Sequence, residues 1–431
     1  MWSFSRTTLA PVKPSEGKEK FDFGGVAGNI ALMVFLPAMV YYLYFCLRFG
    51  NGRLIPCGVT VQDLRGFGSA IVPTGRAFLV YGTWLGFQAL LQVIVPGRKV
   101  YGRELKDGKR LPYRMNGLVS FIITLVVFWA LVLTGVIDPM AIYGQVGSLI
   151  SVVTICVFVF SALLYVFGRR ASPGKAFSSS GVHNFFMGCS LNPRIGSFDL
   201  KLFFEARPSL TGWIILCFVY AAVQYKTQGA VSIPMIISCL FQFAYVLDYF
   251  IHEEAILSTM DIVHDPFGFM LCFGDSVWVP FTYSVQAYYL VNKVKGLPWW
   301  AVTLFALVFA AGYLAFRLTN LQKHRFREDP ERPIRGRKPE FIQTRQGNKL
   351  LVSGFWGWSR HFNYVGDVLM ATSWSLPCLF GSALPYFYPI YFTALLIHRE
   401  RRDFKRCSLK YGAEWQEYCR RVRWRIVPGI Y

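Results

Sequence analysis

The chain has 431 residues, of which 54% are hydrophobic and 17% aromatic, with only 16% charged and a mean hydropathy of +0.38. A soluble domain of this size carries about a quarter charged residues, so a soluble globular protein is excluded. The net charge of +21 invites a nucleic-acid partner, but 37 of the 45 lysines and arginines fall in just five segments (1–25, 97–116, 168–208, 317–349 and 399–425) that the apolar pattern assigns to one side of a membrane. The charge is therefore read as topology, with no nucleic-acid partner expected.

In chain order, the first 20 residues are polar and lack the apolar core of a cleaved signal peptide, so insertion is expected to use the first span itself. Segments apolar and long enough to cross hydrocarbon recur at 26–47, 77–95, 117–137, 146–168, 209–224, 230–251, 268–292, 299–319, 364–380 and 384–398. The fifth and ninth are short, and Gly366 and Pro377 are expected to break the ninth. Between the eighth and ninth, 317–349 carries the run RFREDPERPIRGRKPEF and reads as an extended loop. The fold expected is an all-α polytopic membrane protein of about ten transmembrane helices, with cytoplasmic N- and C-termini and a ligand pocket in the C-terminal half. Three parts are expected: an N-terminal tail (1–25), a bundle of eight spans (26–316), and a C-terminal half (317–431) with two short spans and a basic tail.

Polar residues inside apolar segments are costly and mark function by default. One concentration runs from 248 to 275, with six acids (Asp248, Glu253, Glu254, Asp261, Asp265, Asp275) beside His252 and His264. The other is SGFWGWSRHFNYVGD at 353–367, with Arg360, His361, Asn363, Tyr364 and Asp367. HEEAI at 252–256 begins like a zinc-protease motif but has Ile256 where the second histidine must stand, so no metal site is expected. There is no dinucleotide-binding GxGxxG and no phosphate-binding Walker loop. GFG at 66–68 reads as loop and GGVAG at 24–28 as helix-packing glycines. The ten cysteines lie mostly in apolar segments without a CxxC pair, as buried reduced thiols would.

At the C-terminal end a long apolar segment gives way to ten basic residues in 27 positions, 399–425. Arg399, Asp403, Cys407 and Tyr411 are spaced by four and share one helical stripe, with Trp415 and Tyr418 extending it. Lys323 and Arg327 repeat that spacing just beyond the eighth span. Two readings stay open on composition alone: a solvated, lipid-edge helix with snorkelling cations, or cationic and aromatic groups gathered to hold a phosphate-bearing ligand.

LLIHRERRDFKRCSLKYG at 395–412 resembles the second signature of the sterol reductase family, HR-x2-RD-x3-C-x2-KYG, and GCSLNPRIGSFDLKLFFEARP at 188–208 resembles its first. SGFWGWSRHFNYVGD, the closing RVRWRIVPGIY, FDFGG at 21–25 and PGRKVYGRELKDGKRLPYRMNG at 96–117 extend the likeness over nearly the whole chain. HEEAILSTMDIVHDPFGFMLCFGD at 252–275 is most similar to the C14 reductase branch, which includes the sterol-reductase part of the lamin B receptor. The sequence departs from the family at His183–Asn184 (usually Tyr–Asp), at Phe362 (usually Pro) and at Phe355 (usually Trp). No chromatin-reader segment precedes the membrane part, so a nuclear-envelope scaffold is not expected.

The resemblance implies NADPH-dependent reduction of the C14=C15 double bond of a sterol drawn from the bilayer. It implies Tyr418 as proton donor, Tyr245 on the facing wall, and Glu254 and Asp403 as relay acids. It also implies a cofactor pocket of Lys323, Arg327, Leu351, Trp356, Asn363, Tyr364, Arg399, Asp403 and the turn Cys407, Ser408, Leu409, Lys410, Tyr411. The membrane would be that of the endoplasmic reticulum in a eukaryote and the inner membrane in a bacterium. Other classes remain open: the C-terminal half also resembles the isoprenylcysteine carboxyl methyltransferases, which would mean S-adenosylmethionine and methyl transfer. Reduction of another sterol bond (C7) and sterol binding without catalysis complete the set.

Overall fold

Each of the ten apolar segments folds at least partly as helix in the computed structural model, which describes residues 23–104, 108, 110–171, 178–293, 296–334 and 336–431. Residues 1–22 of the expected N-terminal tail (1–25), with Phe21 and Asp22 of FDFGG, lie outside the described residues. The chain divides into two compact units, one comprising the described chain up to Leu297 with Cys378–Pro385, the other Pro298–Pro377 with Tyr386–Tyr431.

The first unit carries α1 (Gly25–Arg48), α2 (Val61–Ala70), α3 (Gly75–Ile94), the hairpin β1 (Arg98–Glu104) and β2 (Arg110–Met115), α4 (Gly117–Leu133), α5 (Val146–Arg170), α6 (Leu200–Gln228) and α7 (Ile233–Ile251). Helix α2 contains the GFG expected to be loop. Its start is set by a capping box, in which Thr60 accepts from the Asp63 amide and Asp63 accepts from the Thr60 amide. After α7 the seventh apolar segment is a broken series of short helical turns, one of them the π-helical turn Gly274–Trp278.

The fifth span is not short. Helix α6 begins at Leu200, nine residues before the expected start, and contains a second π-helical turn at Glu205–Thr211. The charges that made 200–208 look like loop are instead buried and partnered. Lys201, 0% exposed, donates to the carbonyls of Asp261, Ile262 and Asp265. Arg207, 1% exposed, donates to Gln92, Asn116 and Glu253, whose other oxygen accepts from the Gly117 amide at 2.9 Å. The pair is held through Nε and Nη2 of Arg207, while its Nη1 is buried without a hydrogen-bond partner among the described residues.

The second unit carries α8 (Trp299–Glu328), the hairpin β3 (Phe341–Gln343) and β4 (Lys349–Leu351), α9 (Phe362–Ser373), α10 (Phe387–Tyr411) and α11 (Ala413–Arg421). The 317–349 segment is therefore not one extended loop: α8 runs to Glu328, just short of Pro330, and a strand begins at Phe341. The seam expected between residues 316 and 317 falls inside α8. Gly366 does not break its span; it lies within α9, where its missing side chain lets α9 touch α8. A Cβ there would sit 2.6 Å from the Gly312 carbonyl and 2.5 Å from the Phe316 amide, and Gly312 answers it from α8. The stripe from Arg399 does end early, because Gly412, at φ 53°, terminates α10 and turns the chain into α11.

Among the described residues, α1, α3, α5, α6, α7 and α8 are long and apolar enough to cross a membrane, and α4 is a shorter apolar helix. The protein is a multi-pass, mostly helical membrane protein, and among the described residues three small two-stranded sheets, the third pairing Arg194–Ile195 with Phe198–Asp199, add to the expected all-α fold.

Candidate active site

The C-terminal unit gathers most of the candidate residues. Lys323 on α8 places its ammonium 3.6 Å from the centre of the Trp356 ring, and the Trp356 indole donates to the Thr319 carbonyl one turn earlier on the same face of α8. Thr319, Lys323 and Arg327 follow one another at four-residue spacing along that face. Leu351 of β4 is buried with Phe326 and Trp356. Lys323 also shares its electrostatic surroundings with Asp403 and Cys407 of α10, so the two four-residue stripes converge.

His361 stacks on Tyr364, ring centres 4.8 Å apart, and its Nε2 lies 3.6 Å from Asp403. Burial drives the imidazole down to about 4, against the pull of Asp403 and with Lys323 and Arg360 adding to the fall. At neutral pH His361 is therefore uncharged, and its approach to Asp403 is not an ion pair. Asp403 pairs instead with Arg406 at 3.0 Å. The Cys407 thiol is pushed up to about 12, chiefly by burial, and so is a packing group rather than a nucleophile. The Asn363 carbonyl oxygen is buried without a partner among the described residues, an acceptor left open.

Tyr418 on α11 is 5% exposed and stacks on Trp415, ring centres 5.0 Å apart. Although Gly412 breaks the stripe, Trp415 still meets Tyr411 and Phe404, so the turn folds α11 back on α10. The β-hairpin missed in the sequence closes over this cluster through Ile342 and Leu350. Burial raises the phenol's proton affinity well above the ordinary tyrosine value, partly offset by Arg360. Ser408 bonds the Phe404 carbonyl, the Lys410 ammonium lies over the Tyr411 ring, and Leu409 is 85% exposed.

Sequence reasoning did not find the frame that holds this cluster. The guanidinium carbons of Arg360 and Arg425 lie 5.5 and 4.8 Å from the centre of the Phe404 ring. Buried Glu400 pairs with Arg425 at 3.1 Å and accepts from the Tyr431 hydroxyl, tying the chain end to α10. Two of the departures from the family pattern compensate each other: Phe355 and Phe362 stack at 5.7 Å. A third, His183, is hydrogen-bonded to Asn29 within the other unit.

Tyr245 and Glu254 belong to the first unit. Tyr245, on α7, packs against Trp213 with ring centres 6.1 Å apart. Glu254 pairs with Arg98 of β1, so its carboxylate is engaged with a hairpin cation.

The sequence profile of the ergosterol biosynthesis ERG4/ERG24 family matches residues 17–431. The chain is 46% identical over 414 residues to a Delta(14)-sterol reductase of Methylotuvimicrobium alcaliphilum, covering 96% of both proteins. It is 43% identical to a Delta(14)-sterol reductase of Dictyostelium discoideum, covering 95% of this chain and 92% of the relative. The Mus musculus Delta(14)-sterol reductase TM7SF2 is also 43% identical, with 95% and 97% covered. With the two signatures in order, a cationic and aromatic cluster built from the second, and a family profile running to the last residue, the chain belongs to the ergosterol biosynthesis ERG4/ERG24 family of sterol reductases.

Proposed function

We propose that this protein is a Δ14-sterol reductase, reducing the C14=C15 double bond of sterol intermediates with NADPH. The observation that carries the reaction is the near full-length similarity to proteins named Delta(14)-sterol reductase. The cofactor rests on the chemistry of the C-terminal unit. Lys323 and Arg327 suit the 2′-phosphate or the pyrophosphate, the Trp356 and Tyr364 faces suit flat rings, and the open Asn363 acceptor suits a carboxamide or ribose donor.

An isolated alkene is a poor hydride acceptor, so the proton goes on first. Tyr418, which burial keeps protonated, gives its proton to C15 and leaves a tertiary cation at C14. NADPH, when bound, supplies the hydride that quenches that cation. Packing of Trp415, Ile342 and Val422 around the phenol excludes the water that would otherwise trap it. Tyr245 is assigned to the sterol side. Glu254, held by Arg98, is a poor relay, and Asp403 keeps that assignment.

The topology proposed with this function is ten spans with both termini cytoplasmic, the sterol entering from the bilayer. The host membrane is the endoplasmic reticulum in a eukaryote or the inner membrane in a bacterium. The test is the sterol profile of a C14-reductase-deficient yeast expressing the chain, beside calorimetric titration of the purified protein with NADPH and with S-adenosylmethionine. Accumulated Δ14 sterols should disappear and NADPH should bind. Persistence of those sterols, or binding of S-adenosylmethionine alone, would sink this function in favour of methyl transfer or ligand binding.

A further inference from the structure

Helix α8 carries cations on two sides. Thr319 and Lys323 face Trp356, with Arg327 next along that row. Arg325 is two residues from both Lys323 and Arg327, so it points roughly 200° away from them around the helix. Leu307, Leu314, Leu318 and Leu321 share Arg325's side, at spacings of seven, four and three, and the next step of four reaches Arg325 itself. All four leucines are exposed, Leu307 at 62% and Leu318 at 44%.

This stripe ends in a cavity of about 230 Å³ whose walls include Leu318, Leu321, Arg325, Phe326, Arg332 and Phe355, all within the C-terminal unit. Helix α8 stops before Pro330, and the Arg332 amide donates to the Asp329 carbonyl at 3.2 Å, a turn that brings Arg332 back to the cavity. The Phe355 amide donates to Gln322 at 2.9 Å, which fixes the Phe355 wall to α8. The acids nearby are engaged elsewhere: Glu328 faces His324 at 3.6 Å, Glu331 pairs with Lys338 at 2.8 Å, and Asp329 accepts from the Glu331 amide. Among the described residues no carboxylate lies within ion-pair distance of Arg325 or Arg332, so the cavity keeps two uncompensated positive charges.

The cavity lies at the depth of lipid headgroups. Exposed Trp299 and Trp300 open α8, as interfacial tryptophans do. At 1.5 Å per residue the helix from Trp300 to Arg325 is roughly 38 Å long, more than a hydrocarbon core of about 30 Å, so Arg325 reaches the headgroup layer on the far side.

We propose that this cavity binds one anionic glycerophospholipid, its phosphate held between Arg325 and Arg332 and an acyl chain lying along Leu321, Leu318 and Leu314. Paired N–H donors of a guanidinium match the oxygens of a phosphate. Two positive charges select an anionic lipid over a zwitterionic one, whose own cation opposes them. The leucine stripe selects a lipid over a soluble phosphate. The volume is below the roughly 300–1,000 Å³ of pockets that enclose drug-sized ligands, so it admits a headgroup and not a dinucleotide. Cations that merely snorkel from a lipid-facing helix need neither the returning turn nor the concavity. The site is distinct from the proposed cofactor face of α8 and does not depend on the reaction.

The test is native mass spectrometry of the full chain, released from detergent and titrated with phosphatidylglycerol or with phosphatidylcholine of the same chains. The wild type should hold one phosphatidylglycerol at least about tenfold more tightly than phosphatidylcholine. Arg325→Gln with Arg332→Gln should lower that affinity about ten- to a hundredfold, the worth of a charge-assisted phosphate contact, and leave phosphatidylcholine binding unchanged. Lys405→Gln with Arg420→Gln removes as much charge from exposed positions of α10 and α11 and should leave the affinity near wild type. Neither inorganic phosphate nor NADPH should displace the lipid. Phosphatidylglycerol with a photoreactive group midway along one chain should label residues 314–321 of the wild type, a readout that needs no variant. Wild-type affinity in the Arg325/Arg332 variant overturns the proposal, and so does an equal loss in the control variant, which marks general surface charge. Labelling confined to other segments overturns it as well. Displacement by NADPH or inorganic phosphate gives the cavity to a soluble ligand instead.

Discussion

The two units bury charge with different emphasis, although each has both ion pairs and cations over rings. In the membrane unit, Arg207 and Lys201 are surrounded by acceptors, and Glu253 takes a guanidinium on one oxygen and the Gly117 amide on the other. In the C-terminal unit, cations lie over rings, with Lys323 on Trp356 and Arg360 and Arg425 on Phe404, while the Asn363 acceptor is left open. A set in which nearly every donor meets an acceptor, Nη1 of Arg207 excepted, is a lock. A set that presents charge on aromatic faces and keeps an acceptor free has room for a ligand. The difference supports the proposal that the first network serves stability and the second holds the cofactor.

The sharpest test of that division is Tyr418→Phe. It keeps the ring stacked on Trp415 and removes only the proton, so sterol turnover should fall 10²–10⁴-fold with NADPH binding nearly intact. A phenol that merely packs would change turnover by less than about threefold. Near-wild-type rates would remove the acid from the C-terminal unit and leave Tyr245 as the donor.

The corresponding break in the membrane unit is Arg207→Ala. Leaving Glu253 buried and unpaired should cost about 3–5 kcal/mol, measured as loss of thermal stability in detergent. The double change Arg207→Met with Glu253→Leu should cost much less than the single one, because no lone charge remains. If Arg207→Ala unfolds normally but fails to reduce sterol, the network is part of the site and the two units do not divide the work this way.

Much of this fold was legible in the ten apolar segments, since a helix that crosses hydrocarbon has few ways to disguise its composition. Its two span-boundary errors share one cause, charge that reads as loop, whereas GFG and Gly366 mislead through their glycines. Lys201 and Arg207 look like the edge of a span because their partners lie as far off as Gln92, Asn116 and Asp261, which no local pattern reveals. Lys323 to Glu328 were assigned to a loop although no helix breaker stands before Pro330. In the candidate site, the four-residue spacing of Lys323 with Arg327 and of Asp403 with Cys407 matches one face each of α8 and α10. Gly412 was the visible sign that the stripe ends, and it was read through. The frame of Glu400, Arg425 and Tyr431 had no such sign, because residues 25 and 31 positions apart meet only in the fold.

The smallest of the expected effects discriminates most finely between a ligand site and a lipid-edge helix. Arg327 stands one turn beyond Lys323 on α8, where a phosphate-bearing ligand and a membrane surface would both attract it. A charge-assisted contact to one phosphate contributes about 1.5–3 kcal/mol, which is about ten- to a hundredfold in affinity. Arg327→Ala should therefore raise the KM for NADPH by about that factor, leave kcat close to wild type, and leave the much weaker use of NADH almost unchanged. Only the 2′-phosphate distinguishes the two nucleotides, so an equal loss with both would move Arg327 to the pyrophosphate. A wild-type enzyme that used NADH and NADPH equally would remove the phosphate clamp altogether. Lys323 and Arg327 would then be two interface cations on a long helix, and the open acceptor of Asn363 would have to find its donor in some other ligand.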